Sequence, residues 1–172
     1  IIYCCHSKSG AYSIPNTVTT ISAHAFSECS SLTSVSIPSS VSSIGEYAFY
    51  ECSSMASVTI PNSVTSIGDS AFSQCESLTS ITIPCSVTTI SQHLFFLCTG
   101  LTSIVIPDSI TSIGAHAFQY CSGLTSITIP KSVTSIKEYA FHGCHGLKIV
   151  SIPEGLEYDS SAFEEKATIT RY

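Results

Sequence analysis

Isoleucine-proline pairs punctuate this chain at a fixed interval: Ile14-Pro15, Ile37-Pro38, Ile60-Pro61, Ile83-Pro84, Ile106-Pro107, Ile129-Pro130 and Ile152-Pro153, each 23 residues after the last. No proline stands anywhere else. Six cysteines keep the same step (Cys29, Cys52, Cys75, Cys98, Cys121 and Cys144), and so do Phe26, Phe49, Phe72, Phe95, Phe118 and Phe141. A self-similar period of roughly 20–50 residues marks one structural unit stacked many times, because a single unit cannot bury its own apolar face. The 172 residues hold about seven units of this length.

The interior of a unit reads as two short extended segments and a turn. In Leu78-Thr79-Ser80-Ile81-Thr82-Ile83-Pro84, apolar Ile81 and Ile83 alternate with polar Ser80 and Thr82, the period-2 pattern of a half-buried strand. Pro84 has no N–H to donate and ends the ladder. Val87 and Ile90 turn a second short extended segment inward. The Ala71-Phe72-Ser73-Gln74-Cys75 segment sets Phe and Cys three apart. That spacing predicts a short helical or 3-10 turn bringing both to the core. The entropy of ordering a whole unit exceeds what its few buried side chains return, so units must stack and share their ladders. Coils stacked through strand pairing lie about 4.7–4.9 Å apart.

The recurring string Leu-Thr-Ser-Ile-Thr-Ile-Pro-x-Ser-Val-Thr-Ser-Ile-Gly-x-x-Ala-Phe-x-x-Cys resembles the 23-residue repeat of BspA-like leucine-rich-repeat proteins. Residues 107–129 and 130–152 match it nearly throughout, and the likeness runs from about Pro15 to Phe163. The resemblance implies a β-rich leucine-rich-repeat solenoid with one parallel strand per coil. It also implies a surface or secreted protein of a bacterium or protist that adheres to host proteins or other cells, a role the spacing itself does not show.

The expected organisation is one solenoid domain over 1–172: a degenerate repeat at 1–14, six regular repeats over 15–152, and a degenerate repeat or cap at 153–172. Twenty-three residues before Phe26, Cys29 and Leu32 stand Tyr3, His6 and Ser9, a worn repeat. Near the other end Ala162-Phe163 falls one residue early and no Cys follows. Glu164, Glu165, Lys166 and Arg171 are candidates for a polar cap there. Nothing polar covers Ile1-Ile2-Tyr3. An uncapped strand end invites pairing with another chain, so truncation and head-to-tail self-association both fit.

Composition narrows the functions available. Only 10% of residues are charged, against roughly 25% in an average soluble domain; Ser and Thr, 52 residues together, take their place. The net charge is −6, and no Lys or Arg occurs between Lys8 and Lys131. No basic patch can track phosphates, so neither nucleic acid nor an anionic membrane is an expected partner. The acidic group Glu154, Glu157, Asp159, Glu164 and Glu165 reads as a solvated edge. No apolar run reaches the ~18–20 residues of a transmembrane helix, so membrane insertion is not expected. The chain opens at Ile1 rather than Met, and the lack of a leader therefore argues nothing about compartment. Neither Asn16 nor Asn62 sits in a glycosylation sequon.

The six phased cysteines read as a reduced core ladder, since free Cys packs as a small hydrophobe and parallel Cβ vectors suit a bridge poorly. Cys85 belongs to the polar column Asn16, Ser39, Asn62, Asp108 and Lys131 and is expected to be exposed, either a reactive thiol or a neutral surface substitution. Adjacent Cys4 and Cys5 are candidates for cross-linking. His24, His93 and His116 share one column with Tyr47, Ser70 and Tyr139. Two neighbouring imidazoles fall short of the three or four ligands a metal wants, so surface variation is the plainer reading. The group His142, Cys144 and His145 has metal-ligand residue types, but Cys144 belongs to the ladder. No Gly-x-Ser-x-Gly elbow, phosphate-binding glycine loop or carboxylate pairing beyond stacked Glu28 and Glu51 appears. No catalytic residues, metal or cofactor are expected.

The face left for function is that of the first strand. Its outward columns are Ser34, Ser57, Ser80, Ser103 and Ser126 beside Ser36, Thr59, Thr82, Val105 and Thr128. Such rows serve as the floor of a protein-binding surface, as acceptors of O-linked glycans, or as a water-ordering array of the ice-binding kind, which Val105 interrupts. The plain alternative is that Ser and Thr suit an exposed strand. The expectation carried forward is a non-enzymatic adhesion or binding module, extracellular or on a cell surface, with a protein partner on this face. The alternative is a structural protomer of an end-to-end or filamentous assembly.

Overall fold

The computed structural model describes residues 8–164 and 166–172. Two series of strands alternate along the chain. The first lies just before each Ile-Pro pair: β1 (Gly10–Ser13), β3 (Leu32–Ser36), β5 (Ser57–Thr59), β7 (Ser80–Thr82), β9 (Ser103–Val105), β11 (Ser126–Thr128) and β13 (Ile149–Ile152). The second follows the proline: β2 (Thr20–Ile21), β4 (Ser43–Ile44), β6 (Ser66–Ile67), β8 (Thr89–Ile90), β10 (Ser112–Ile113) and β12 (Ser135–Ile136). A last strand, β14 (Thr168–Arg171), lies against β13.

Pairing is parallel in both series, and its register equals the sequence period. Ser34, Val35 and Ser36 pair with Ser57, Val58 and Thr59; Ser80, Ile81 and Thr82 pair with Ser103, Ile104 and Val105; Ser112 and Ile113 sit between Thr89-Ile90 and Ser135-Ile136. The chain is thus a parallel β-solenoid of about seven turns, the leucine-rich-repeat architecture expected. Its last turn is shorter: Ile149 pairs with Thr168, only nineteen residues on.

The interior is made of columns. Leu32, Met55, Leu78, Leu101 and Leu124 form one; Val35, Val58, Ile81, Ile104, Ile127 and Val150 another; further columns come from Ile37, Val41, Ile44, Ala48 and their counterparts, all buried. The phenylalanines stack ring on ring, Phe26 to Phe49 at 5.1 Å, Phe49 to Phe72 at 5.2 Å and Phe118 to Phe141 at 5.0 Å. The widest step, 6.1 Å between Phe72 and Phe95, occurs where Leu94 replaces the alanine of neighbouring coils. Phe163, one residue out of phase in sequence, still stacks on Phe141 at 5.0 Å and 4°.

The Ala-Phe-x-x-Cys segment corrects the sequence expectation. It forms turns, and no helix occurs among the described residues. Alternate N–H groups serve different partners. Ala25, Ser27 and Cys29 donate three residues back to Ser22, His24 and Phe26, whereas His24, Phe26 and Glu28 donate to Glu46, Ala48 and Tyr50 of the next coil. A helix would use every N–H within its own coil. The alternation is set by left-handed residues four apart, at His24 (φ 57°) and Glu28 (φ 60°), and again at His93 and Leu97 and at His116 and Tyr120. Each non-glycine residue held there costs of order 1–3 kcal/mol; the inter-coil hydrogen bonds it permits are what holds it.

Hydroxyls reinforce the stack. Ser40, Ser63, Ser86 and Ser109 donate to the carbonyls of Val18, Val41, Val64 and Val87, one coil earlier, at 2.5–2.7 Å. Ser132 continues the column, but its buried hydroxyl has no partner.

Candidate functional site

The ten residues of the outward strand columns lie on five neighbouring strands, of which β3 pairs with β5 and β7 with β9, while β11 pairs with β13. Ser36, Ser57, Thr59, Ser80, Thr82, Ser103, Val105, Ser126 and Thr128 are exposed and Ser34 is half-buried. Val105 stands 80% exposed among hydroxyls. No bond within this set ties the hydroxyls down; beside it the Thr102 hydroxyl reaches the Thr79 carbonyl at 3.3 Å, and before the second-series strands Thr65, Thr111 and Thr134 reach carbonyls one coil back at 3.1–3.3 Å. The result is a flat hydroxyl surface without charge. At its C-terminal edge a depression of about 570 Å³ is bounded by Val105, Thr128, Asp108, Lys131 and Tyr172. Tyr172 is fixed there, its hydroxyl donating to the Ile129 carbonyl at 2.8 Å and its ring under the Lys131 ammonium at 5.7 Å.

The phased cysteines sit inside, with Cys29, Cys52, Cys75, Cys98 and Cys121 at 0% exposure and Cys144 at 4%. The thiols of Cys52, Cys75, Cys98, Cys121 and Cys144 donate to the carbonyls of Phe26, Phe49, Phe72, Phe95 and Phe118 at 3.0–3.2 Å. Burial pushes the thiols of Cys52, Cys98 and Cys144 up to about 12, and those of Cys75 and Cys121 well up too. A neutral thiol that is both buried and donating is a poor nucleophile. Cys85 is exposed, and Cys4 and Cys5 lie outside the described residues, as do Ile1-Ile2-Tyr3, His6 and Glu165.

His93, His116 and His142 are linked through Tyr139, whereas His24 stands apart from them. His93 and His116 stack at 4.6 Å, and His116 stacks on Tyr139 at 5.2 Å. His24 stacks on Tyr47. Burial, then the neighbouring His116, lowers the His93 pKa. Of the group His142, Cys144 and His145, Cys144 is buried, His142 packs edge-on against Tyr139, and His145 meets the Glu164 carboxylate at 3.2 Å. No set of three or more His, Cys, Asp and Glu among the described residues is placed to hold a metal ion. Glu28 and Glu51 border a depression of about 450 Å³ with Glu76. Glu164 also accepts the Gly143 N–H at 3.1 Å, and the Arg171 guanidinium donates to the Pro153 carbonyl at 3.4 Å.

One surface escaped the sequence reading. On the turn side the rings of His93, Phe96, His116, Tyr120, Tyr139 and His142 form a continuous patch. Phe96 meets Tyr120 at 5.9 Å and 74°, and Tyr120 meets His142 at 6.3 Å and 75°. Edge contacts of His93 with Phe96 and of Tyr139 with His142 join this row to the stacked one. Tyr120 and Tyr139 are 39% and 41% exposed. The signal was present but split. Phe96 and His142 occupy one phase of the repeat and Tyr120 the next, so neither column is aromatic throughout.

A family model described as BspA type leucine rich repeat region matches the chain in six copies, over residues 3–125 and 111–172. Among solved structures, a leucine rich repeat protein of T. pallidum is 34% identical at TM-score 0.77, covering 83% of this chain and 72% of its own. A leucine-rich repeat protein from Eubacterium ventriosum is 32% identical at TM-score 0.85, covering 96% of this chain but 45% of its own length, so this chain spans less than half of that relative. A leucine rich cell surface protein from Faecalibacterium prausnitzii is 28% identical at TM-score 0.50, covering 97% of this chain and 60% of that one. No curated protein matches the chain. With the family model covering nearly its whole length, the chain belongs to the BspA-type leucine-rich-repeat family.

Proposed function

We propose that this chain is a non-enzymatic adhesion module at a cell surface, which presents the flat hydroxyl strand face to a protein partner. Proteins of this repeat family are generally surface or binding modules, and one relative of matching fold is described as a cell surface protein. The observation that carries the reading is the outward row of Ser80, Thr82, Ser103, Val105, Ser126 and Thr128, the first four on the in-register pair β7 and β9 and the last two on neighbouring β11, open to solvent and uncharged. Small hydroxyls bring a partner's backbone close without a desolvation penalty for charge, and exposed Val105 supplies an apolar anchor toward the C-terminal edge. The ladders beneath make the face rigid, which lowers the entropy lost on binding. The strand-face substitutions Ser80→Arg and Ser126→Arg, in a panel assay against extracellular-matrix and cell-surface proteins, test this. Binding that both variants abolish supports it; binding indifferent to them, or absent throughout the panel, overturns it.

A second reading, an end-to-end assembly, draws on β14. This strand pairs with β13 on one side, and Thr168, Thr170 and Arg171 are exposed. An outer edge of this kind can take a further parallel strand, from another copy or from more of the same chain. Light scattering over a concentration series decides between the two, since a monomer at every concentration ends the assembly reading.

A further inference from the structure

We propose that the aromatic turn face is a second, separate docking site, and that its occupant is a basic, proline-containing segment of a partner bound as a polyproline helix. Neighbouring rings along Phe96, Tyr120 and His142 meet nearly edge to face, at 74° and 75°. Phe96 and His142 share one phase of the repeat two coils apart, a span of about 9.4–9.8 Å at a coil spacing of about 4.7–4.9 Å, with Tyr120 between them. A polyproline helix advances about 3.1 Å per residue with three residues per turn, or about 9.3 Å per turn. One turn thus spans the row from Phe96 to His142. An extended β-strand repeats at about 6.6–6.8 Å and falls out of step within two coils.

The chemistry agrees with the geometry. Polyproline ligands dock on aromatic-lined grooves, where their preformed helix loses little entropy. The rings here are held in place before any ligand arrives. His116 Nδ1 lies 2.8 Å from Gln119 Oε1. The Tyr120 ring sits over Gly143, where a β-carbon would come within 2.2 Å of it.

Charge fixes the character of the ligand and its direction. The column that carries Tyr120 carries Glu51 three coils earlier, and Glu76 lies beside it at the rim of the acidic depression. The nearest Lys or Arg on the N-terminal side of this stretch is Lys8. A Lys or Arg placed before the prolines would lie over Glu51 and Glu76 while prolines one turn apart lie over Phe96 and His142, with Tyr120 between them.

The test uses the intact chain and three synthetic peptides followed by NMR or anisotropy titration: two arginines followed by a Pro-x-x-Pro-x-x-Pro run, the same composition with the proline period scrambled, and a proline-free peptide of equal charge. Saturable binding of the first, at least tenfold tighter than either control, is expected. Tyr120→Ala should weaken it at least tenfold, and Glu51→Gln with Glu76→Gln should weaken it and flatten its salt dependence. Tyr139→Ser, which leaves the Gly143 contact untouched, should also weaken it. Equal binding of all three peptides, no binding at millimolar concentration, or affinity unchanged by Tyr120→Ala and Tyr139→Ser overturns the proposal. The strand-face variants Ser80→Arg and Ser126→Arg should leave this binding intact, so the two faces fail or succeed independently.

Discussion

The thiol of Cys98 donates to the carbonyl oxygen of Phe72, one coil earlier and 3.1 Å away. The same carbonyl accepts the Cys75 N–H at a long 3.4 Å, so the thiol completes an acceptor that its own coil serves weakly. Hydrogen bonding and packing thus act through one atom. Cys98→Ala removes a small buried volume and a bond to a dry carbonyl, and should cost about 1–3 kcal/mol in urea unfolding. A change within a few tenths of a kcal/mol would mean that the thiol only fills space.

The ladder also sets how the thiols react. Burial holds Cys52, Cys98 and Cys144 at about 12, above the ordinary thiol value of 9.0 that the unfolded chain recovers. The folded state therefore keeps its protons while the unfolded state loses them. Stability is full below about pH 9 and falls as pH rises from there toward 12. Under native conditions at pH 8, peptide mapping after alkylation should find Cys85 labelled quickly and the five donating thiols labelled only on unfolding. Rapid native labelling of Cys75 or Cys98 would contradict the packing.

The serine column offers a paired comparison. Ser109 donates to the Val87 carbonyl at 2.7 Å, whereas the equivalent buried hydroxyl of Ser132 has no partner. Ser109→Ala should destabilise by about 0.5–1.5 kcal/mol. Ser132→Ala relieves an unsatisfied hydroxyl and should be neutral or stabilising by about 1 kcal/mol. Thermal melts of both variants check the sign; equal losses would show that the Ser132 hydroxyl finds a partner in solution.

What was legible in the sequence followed from period. Phe49, Cys52, Val58 and Ile60 recur at one step, and stacking makes residues of equal phase neighbours, so core columns and strand register could be read directly. Phe163 shows the limit: it is out of phase in sequence yet in stack, because the turn before it is shortened. The turns were not legible. Left-handed backbone is ordinarily flagged by Gly or Asn, but here Ser70, Leu97 and Tyr139 adopt it, selected by inter-coil hydrogen bonds rather than by local preference. The aromatic patch was missed because its rings alternate between two phases, and a column-by-column reading cannot see a diagonal.

Ser70 tests that account of the turns. It is 6% exposed with φ 55°, and its N–H donates to the Gln92 carbonyl of the next coil at 2.9 Å. Ser70→Gly removes the Cβ penalty of about 1–2 kcal/mol against an unfolded-state entropy cost of about 0.5–1 kcal/mol, so stability should hold or rise slightly. Ser70→Val places a β-branched residue where it is a genuine outlier and should cost about 1–3 kcal/mol. Chemical denaturation of the pair measures the difference. If valine were tolerated as well as glycine, the left-handed geometry would not be enforced.

His93 supplies the acid limb of the pH profile. Its ring is sandwiched against His116 at 4.6 Å and meets the edge of Phe96. Burial first, and His116 second, lower its pKa below 6.5, with Asp69 opposing. On unfolding the imidazole regains its ordinary affinity for protons, so below about pH 6.5 the unfolded state binds more protons than the folded one. Stability attributable to this residue is present above pH 6.5 and is lost as pH falls through the lowered folded value. His145, 3.2 Å from Glu164, is another imidazole beside a charged group. The His93→Gln variant separates them, because it keeps His145 and Glu164 unchanged. Between pH 7.5 and 5.5 the wild-type melting temperature should fall more steeply than that of His93→Gln, and parallel slopes would remove His93 from the account.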